Sequence, residues 1–402
     1  MTAPIYTDVD DNLMSTPSQS LSRSLVWLMA TATGIAVASN YYAQPLLESI
    51  ASDFSLSHST AGNIVTTAQL GYGIGLLFLV PLADMFERRR LIVLMSFLTT
   101  IGLLISGLSA NVGWLMFGTA VTALGSVVAQ VLLPLGATLA SEQQRGKVIG
   151  TIMGGLLLGI LLARVVSGGL SDLGSWRYIY FFATAAMFIT TLALAKYLPL
   201  YHSDNRSSYL KILGSVIALF SQEPVLRYRS ILGLLSFALF SMFWTPLAFL
   251  LSAPPYNYTD SVIGLFGLVG IAGVFAANWA GKLADAGHGS LATKLGLSGL
   301  LFSWVLLYFA PISLVALLLG ILLLDLTVQL VHVSNQNQIY ALAPELRNRL
   351  TAGYMTCYFI GGAFGSWFSV MLYQHFAWTG VVAGACLTAT IACLLGFLYK
   401  EK

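Results

Sequence analysis

Four residues with acid, amide or imidazole side chains recur at helical spacing late in the chain. Asp325 is followed by Gln329, His332 and Gln336 at i+4, i+7 and i+11, which places all four on one face of a helix. A carboxyl group and an imidazole can exchange protons when their surroundings adjust them. This polar face cannot be turned to lipid, so it predicts a polar pathway in which Asp325 carries the proton and His332 is the reserve.

Arg164 stands in another long apolar stretch, and with Asp325 it is the only charged residue that we predict deep inside a membrane span. A charge at a bilayer's centre costs about 2.5 to 3.5 kcal/mol, so both need compensation. At about 1.5 Å per residue, Asp325 lies about 21 Å inward from Pro311 and Arg164 about 26 Å outward from Lys147, nearer the outer side. The alternatives are that both line the pathway, that they form a permanent ion pair, or that Arg164 is held by backbone carbonyls and Glu48. The candidates for proton coupling are Asp325, His332, Arg164 and Glu48.

Two further polar stripes and two aromatic groups complete a candidate cavity. One stripe includes Asn40 and Gln44, and the other includes Ser126 and Gln130. Aromatic walls with few polar groups suit an amphiphilic or aromatic solute, although polar side chains also join helices and aromatic side chains also fill cores. The residues that we predict to line the cavity are Asn40, Tyr41, Gln44, Ser126, Gln130, Arg164, Phe243, Trp244, Asp325, Gln329, His332, Gln336, Tyr354 and Tyr358.

The composition is that of an integral membrane protein. Charged residues make up 9% of the 402 residues and hydrophobic residues 57%, with a mean hydropathy of +0.81, whereas soluble domains carry about 25% charged residues. The apolar stretches are long and continuous, which favours helices over a β-barrel. The basic residues form no basic face, so we expect no nucleic-acid partner. The three cysteines fall in apolar spans and predict neither a disulfide nor a metal site.

The hydropathy pattern predicts an all-α membrane protein with about twelve helices, each of roughly 20 residues. An even number puts both termini on one side. All Lys and Arg residues except Arg164 and Arg177 then fall in loops on that side, which the positive-inside rule assigns to the cytoplasm. The predicted spans are 24–47, 60–83, 91–109, 114–140, 148–170, 178–198, 230–252, 261–281, 291–309, 313–341, 351–373 and 380–398.

Two halves of six helices follow from an internal repeat. Leu82-Ala83-Asp84 returns as Leu283-Ala284-Asp285 half a chain length later, and Arg145-Gly146-Lys147 returns as Arg347-Asn348-Arg349. We predict a disordered cytoplasmic tail over 1–21, a six-helix bundle over 22–198, a cytoplasmic linker over 199–226 and a second bundle over 227–402. The linker contains an amphipathic helix expected to lie on the inner membrane face, without a role of its own.

The charged segment after the second span resembles the loop signature of the major facilitator superfamily, Gly-x-Leu-Ala-Asp-Arg-x-Gly-Arg-Arg. It retains Leu82-Ala83-Asp84 and Arg88-Arg89, whereas Val80 and Glu87 stand where the family has glycines. The segments 41–47 and 333–336 resemble bacterial drug or sugar efflux members. The fifth span has Arg164-Val165-Val166-Ser167-Gly168-Gly169 where antiporters of the family often have Gly-Pro-x-x-Gly-Gly.

The resemblance implies roles for several residues. Spans 1, 4, 7 and 10 would surround a central cavity between the pseudo-symmetric bundles. The residues implied to form a cytoplasmic latch, opposite the start of the eleventh helix near Leu350, are Asp84, Arg88, Arg89 and Asp285. The alternative for Asp84 is a solvated loop that only sets the topology.

Together the residues and the resemblance predict a proton-coupled transporter that exports a small organic solute across the inner membrane by alternating access. The alternatives are a proton symporter or facilitator for a sugar or organic anion, and a membrane-embedded sensor or receptor. The sequence lacks His-Glu-x-x-His, Gly-x-Ser-x-Gly and phosphate-loop motifs, so we expect no enzyme and no cofactor. The expected partners are substrate, protons and lipid, and the expected state is a monomer.

Overall fold

The computed structural model describes residues 21–201, 209–270, 289–342 and 346–398. These residues form helices and short connections, and no strand occurs among them. Residues 1–20 of the predicted tail, the second copy of the charged repeat with Asp285, and the C-terminal lysines lie outside the described residues.

The first six membrane spans form one bundle. Each helix is apolar along most of its length because a chain crossing lipid must satisfy its backbone hydrogen bonds internally. Spans 1 to 6 comprise, in order, Arg23–Ala38 with Leu47–Asp53, His58–Phe78, Arg88–Gly107, Val112–Ser126 with Ala129–Leu139, Glu142–Ser171, and Tyr178–Tyr197.

The last six spans form a second, pseudo-symmetric bundle. Spans 11 and 12 belong to one continuous helical segment that turns at Ala377, where φ is 52°. Spans 7 to 12 comprise Pro224–Trp244 with Leu247–Ser252, Asp260–Leu265 with Phe266–Gly270, Gly289–Leu307, Leu314–Tyr340, and the two parts of Arg347–Leu398.

The described part of the chain therefore contains the expected architecture. Nine of its helical segments are long and apolar enough to cross a membrane, and the last of these contains two spans. Spans 1 and 8 are represented by shorter apolar helices, Arg23–Ala38 and Asp260–Gly270. The result is a twelve-span protein whose bundles meet mainly through spans 2 and 11 and spans 5 and 8. We call the side at which span 1 begins the terminal side.

Several spans are interrupted where they face the bundle interior. Span 1 loses its α-helical hydrogen bonds between Ala38 and Gln44, and span 7 between Trp244 and Leu247. Pro246 lacks an N–H group and therefore cannot continue the helix of span 7. Interrupted spans are common in transporters because their free backbone groups and re-aimed side chains line binding sites.

The linker helix Tyr209–Gln222 corrects our prediction of a helix lying on the membrane face. Ile212, Val216 and Leu219 on its apolar side are buried against protein. Tyr209 Oη donates a 2.8 Å hydrogen bond to the Phe78 carbonyl at the end of span 2. The helix thus packs across the terminal side of the molecule, because contact with protein removes its apolar side from water.

Candidate functional site

A cavity of about 540 Å³ lies between the two bundles. Its wall contains residues from spans 1, 4, 7 and 10, as the resemblance implies, and also from spans 2, 5, 8 and 11. It extends from Arg164 and Asp325 deep in the protein to Asp84, Arg88 and Arg349 on the terminal side. The predicted polar faces therefore converge on one space.

The deep end of the cavity is built around Trp244 of span 7. Its indole N–H donates a 3.2 Å hydrogen bond to Asp325 Oδ1, and the Arg164 guanidinium lies 4.0 Å above its ring. Arg164 is 3% exposed and Asp325 6% exposed, so both charges are buried. One indole therefore joins the Arg164 of one bundle to the Asp325 of the other.

Our rise-based estimate placed Arg164 and Asp325 at different depths, and the structure corrects it. In α-helices, side chains lean toward the helix N-terminus. Spans 5 and 10 run in opposite directions, so Arg164 leans toward the terminal side while Asp325 leans away from it. Among the described residues they form no direct ion pair, because Trp244 stands between them.

Arg164 is held by polar and aromatic neighbours. Its Nε donates a 2.8 Å hydrogen bond to Gln44 Oε1, and the rings of Tyr41 and Phe240 lie 5.0 and 6.0 Å from its guanidinium carbon. Its Nη2 has no hydrogen-bond partner among the described residues. The guanidinium therefore keeps a buried donor available beside the cavity.

Glu48 does not compensate Arg164, which corrects its place among the proton-coupling candidates. Its carboxylate lies 3.6 Å from His58 Nε2 on the side opposite to the terminal one, and both side chains are partly exposed. The short helix that begins at Leu47 turns Glu48 away from the cavity. Gln44 is the residue of this segment that contacts Arg164.

The polar face of span 10 lines the cavity toward the terminal side. Gln329, His332 and Gln336 all contribute to the wall. His332 Nδ1 lies 3.0 Å from Tyr354 Oη, and its ring centroid lies 4.6 Å from that of Tyr358. Asp325 and His332 therefore share one continuous polar face with two tyrosines beside it.

Four of the predicted cavity residues stand behind the wall and support residues that line it. Gln44 and Trp244 hold Arg164, Tyr354 contacts His332, and the hydroxyl of Ser126 accepts a 2.9 Å hydrogen bond from Asn40 Nδ2. The lining residues among the predictions are Asn40, Tyr41, Gln130, Arg164, Asp325, Gln329, His332, Gln336 and Tyr358.

Phe243 is a correction to the predicted cavity set. It is fully buried, and its ring centroid lies 6.1 Å from Trp378 and 6.4 Å from Trp304. Adjacent positions on a helix differ by about 100° in direction. Trp244 and Phe243 therefore face different neighbours, and only Trp244 reaches the charged pair.

The terminal-side mouth carries the charged residues of the family signature. Asp84 lies 3.8 Å from Arg88, whose guanidinium carbon lies 4.9 Å from the Tyr201 ring. Arg349, at the start of span 11, borders the same mouth. Within the described residues, the ion-pair partner of Asp84 is Arg88.

Glu87 explains one departure from the family signature. Its carboxylate accepts hydrogen bonds from the backbone N–H groups of Arg89 and Arg90, at 2.8 and 2.9 Å, and so caps span 3. It also accepts a 3.2 Å hydrogen bond from the Tyr201 backbone. Arg89 donates to the Ala195 carbonyl near the end of span 6. This loop therefore ties span 3 to the end of span 6.

Arg229 is a buried charge that we had assigned to a loop. It is 1% exposed and donates hydrogen bonds to Thr293 Oγ1 at 2.8 Å and Asn335 Oδ1 at 3.3 Å. The sequence does contain a signal for this placement, because Pro224 begins the helix of span 7. A helix that starts there carries Arg229 into the bundle.

Asp260 is a second buried charge that we had assigned to a loop, and it lies on the side opposite to the terminal one. Its Oδ2 accepts 2.6 Å hydrogen bonds from Ser49 of span 1 and Ser171 of span 5. Nothing in the sequence relates these three distant positions. The carboxylate at the start of span 8 therefore joins the second bundle to the first.

Two helical bundles that enclose a cavity lined by charged, polar and aromatic side chains are the architecture of a membrane transporter. Comparisons with known proteins agree. The sequence model of the Major Facilitator Superfamily matches residues 29–366. The chain belongs to this superfamily.

Relatives and solved structures support the same class. The "putative uncharacterized transporter YgaY" of Escherichia coli K12 is 55% identical over 385 residues, covering 96% of this chain and 97% of that protein. A Streptomyces coelicolor protein, the probable transporter SCO4007, is 31% identical over 374 residues, covering 92% and 87%. A bacterial homolog of the human lysosomal transporter Spinster, in an inward-facing and occupied conformation, has a TM-score of 0.76 at 15% identity, covering 93% and 96%.

Proposed function

We propose that this transporter couples the movement of a small organic solute to protons, and that Asp325 carries the proton. The supporting observation is the position of Asp325. Its carboxylate is buried, borders the cavity, and is joined through Trp244 to Arg164 of the other bundle. A proton gained or lost by Asp325 changes the net charge between the bundles. Alternating access requires the contacts between the bundles to change, and this charge lies at those contacts.

The energy for transport would come from the proton gradient. One charge that crosses 100 mV supplies roughly 2.3 kcal/mol. Asp325 borders the cavity that extends toward the terminal side, and rocking of the bundles would expose it to the other side. His332, on the same face of span 10, is the reserve carrier.

The direction that we propose is export across the inner membrane, with both termini in the cytoplasm. The distribution of Lys and Arg residues supports this orientation, and the resemblance to efflux members supports export. Symport or facilitated movement of a sugar or organic anion is the alternative within the same class. Counterflow with and without a pH gradient distinguishes them.

The latch at the terminal-side mouth is part of the same proposal. In the conformation closed on that side, Asp84 would approach the start of span 11, where Arg349 and unpaired backbone N–H groups attract a carboxylate. Arg88 and Arg89 would hold the loop in place. The distance from Asp84 to Arg88, 3.8 Å, leaves the carboxylate free to exchange partners.

The proton-carrier proposal can be tested without a known substrate. In a chain whose three cysteines are replaced by serine, spin labels at Ser52→Cys and Ile312→Cys report the separation of the two bundles on the sealed side. Both positions are exposed. We expect the distance distribution in lipid nanodiscs to change between pH 8 and pH 5.5, and Asp325→Asn to remove this change.

The matched control is Asp172→Asn, which removes an exposed carboxylate outside the cavity and should retain the full response. A full pH response in the Asp325→Asn protein would contradict the assignment of Asp325 as the proton carrier.

A further inference from the structure

The guanidinium of Arg164 has a hydrogen-bond donor that no described residue accepts. The side chain is 97% buried in the deep end of the cavity, where its Nε is bonded to a neutral amide and its Nη2 is unpartnered among the described residues. A buried donor on a charged group is costly to leave unpaired. The contacts to Trp244 and Tyr41 occupy its faces rather than its N–H groups.

The wall beside Arg164 is aromatic and apolar. Phe237 stacks on Tyr358 with ring centroids 4.1 Å apart, and Tyr72 lies 4.3 Å from Phe359. All four rings border the cavity, whose volume of about 540 Å³ exceeds that of a small inorganic ion. This combination suits a flat apolar body with one charged group at its end.

The sign of that charged group follows from the two buried charges. Asp325 Oδ1 is occupied by the Trp244 N–H, and Oδ2 lies against Gly270, where a Cβ would stand only 2.8 Å away. Asp325 Oδ1 is therefore engaged by the indole, whereas Arg164 Nη2 has no partner among the described residues. A carboxylate can accept from guanidinium N–H groups in a strong charge-assisted hydrogen bond.

We propose that Arg164 anchors the carboxylate of an aromatic or similarly flat organic monoanion. This inference rests on the proposed function. An anion at Arg164 pairs with the buried guanidinium, which offsets part of the cost of keeping both charges out of water. A cationic solute would instead add to the charge of Arg164.

The groups around Asp325 show which cation faces it. Tyr41 of span 1 and Tyr358 of span 11 interact with it, together with Arg164 of span 5 and the neutral indole of span 7. Span 8 presents Gly270, and Lys294, the one charged residue in the described part of span 9, lies against Phe397. On span 10 itself the nearest titratable residue is His332, seven positions away. Arg164 is therefore the cation that faces Asp325.

A series of probes with one shape and three charges tests the inference. We would measure binding of 2-naphthoate, 2-naphthamide and 2-naphthamidine to the purified full chain by calorimetry and thermal shift. We expect the carboxylate to bind at least tenfold more tightly than the amide, and the amidine more weakly than either.

Variants of Arg164 separate charge from shape. Arg164→Gln should remove the preference for the carboxylate over the amide, while Arg164→Lys should retain part of it. Because Arg164 is buried, the folding of each variant is checked by a cooperative thermal transition and by retained binding of the neutral 2-naphthamide.

The outcomes are distinct for the two proposals. Equal binding of all three probes, tighter binding of the amidine, no binding of the carboxylate, or an unchanged preference in Arg164→Gln would each overturn the anion assignment. The pH response of the spin-label pair would be unaffected by such a result, so proton coupling through Asp325 would stand. If the parent chain shows no pH response of the spin-label pair but still binds the carboxylate more tightly than the amide, the proton-carrier proposal is overturned and the anion site stands.

Discussion

The two ends of the cavity are closed by different kinds of contact. On the sealed side, span 5 and span 8 touch through their backbones: a Cβ added at Gly168 would overlap the Asp260 carbonyl, and one at Gly264 would overlap the Arg164 carbonyl. On the terminal side, Asp84 and Arg349 border the cavity, together with residues of the linker helix. The sealed end relies on small residues and one buried carboxylate, Asp260, and the other end carries long charged side chains.

The difference shows how the conformation is held. Close backbone contact between helices requires small residues, so the sealed end packs tightly when closed and its side chains bridge only short distances. Charged side chains act over longer distances and in water, so they can re-form a closure at the other end. The following changes test this contrast, from the largest expected effect to the smallest.

Gly168→Leu should prevent the sealed end from closing. The new side chain meets the backbone of Asp260, which cannot move aside as a flexible side chain could. Overpacking typically costs up to about 3 kcal/mol, and we expect the free-energy cost of closing this end to be at least that large. The spin-label pair at Ser52→Cys and Ile312→Cys should show only long distances. Gly169→Leu is the matched control, because a Cβ there meets nothing within 4 Å. Similar distributions for both variants would show that backbone contact does not seal this end.

Asp260→Ala should weaken the sealed end without blocking it. The change leaves the hydroxyls of Ser49 and Ser171 without their shared acceptor, and hydrogen bonds to a charged group contribute about 1.5 to 3 kcal/mol each, less the cost of burying the carboxylate. We expect the same spin-label pair to gain a population at long distance. Asp260→Asn, which keeps an acceptor oxygen, should have a smaller effect. An unchanged distance distribution in Asp260→Ala would show that these hydrogen bonds do not help to seal this end.

Asp84→Asn should act at the other end and in the opposite direction. Loss of the carboxylate weakens the proposed latch by roughly 0.3 to 1 kcal/mol, the scale of a charge at a helix terminus. The population that is closed on the terminal side should fall, which the spin-label pair records as fewer long distances on the sealed side. Glu142→Gln, an exposed carboxylate on the terminal side, is the control. A shift toward longer distances would contradict the latch.

Asp53→Asn should have the smallest effect, because Asp53 braces one bundle without joining it to the other. Arg177 and Trp176 donate hydrogen bonds to its carboxylate at 2.7 and 3.0 Å, and these lower the pKa of Asp53 below its ordinary value. A lowered pKa in the folded state stabilises the protein above the unfolded value of about 3.9, and this stabilisation is lost as the pH falls through the folded value.

The side chain of Asp53 is 43% exposed, so the contribution at neutral pH should be no more than about 1 kcal/mol. The melting temperature of Asp53→Asn in detergent should lie below that of the parent at pH 7, and the two should converge below pH 4. Spin-label distances should stay unchanged. A difference in melting temperature that persists at low pH would assign the effect to packing instead of charge.

Much of the architecture follows from local pattern. Long runs without Asp, Glu, Lys or Arg allow only membrane helices, and the repeated Leu-Ala-Asp segment divides the chain into halves. The stripe from Asp325 to Gln336 was identifiable because residues on one face of a single helix are fixed by helical spacing alone. Such features need no knowledge of neighbouring helices.

Tertiary structure alone decided which charges meet. The bridge from Arg164 through Trp244 to Asp325 joins three spans, and the hydrogen bonds of Asp260 join another three, so no spacing within one helix encodes either. The position of Glu48 could not be predicted either, because it depends on the direction in which span 1 resumes after its interruption. Sequence determines which side chains are costly to leave in lipid, whereas the packing of helices determines what compensates them.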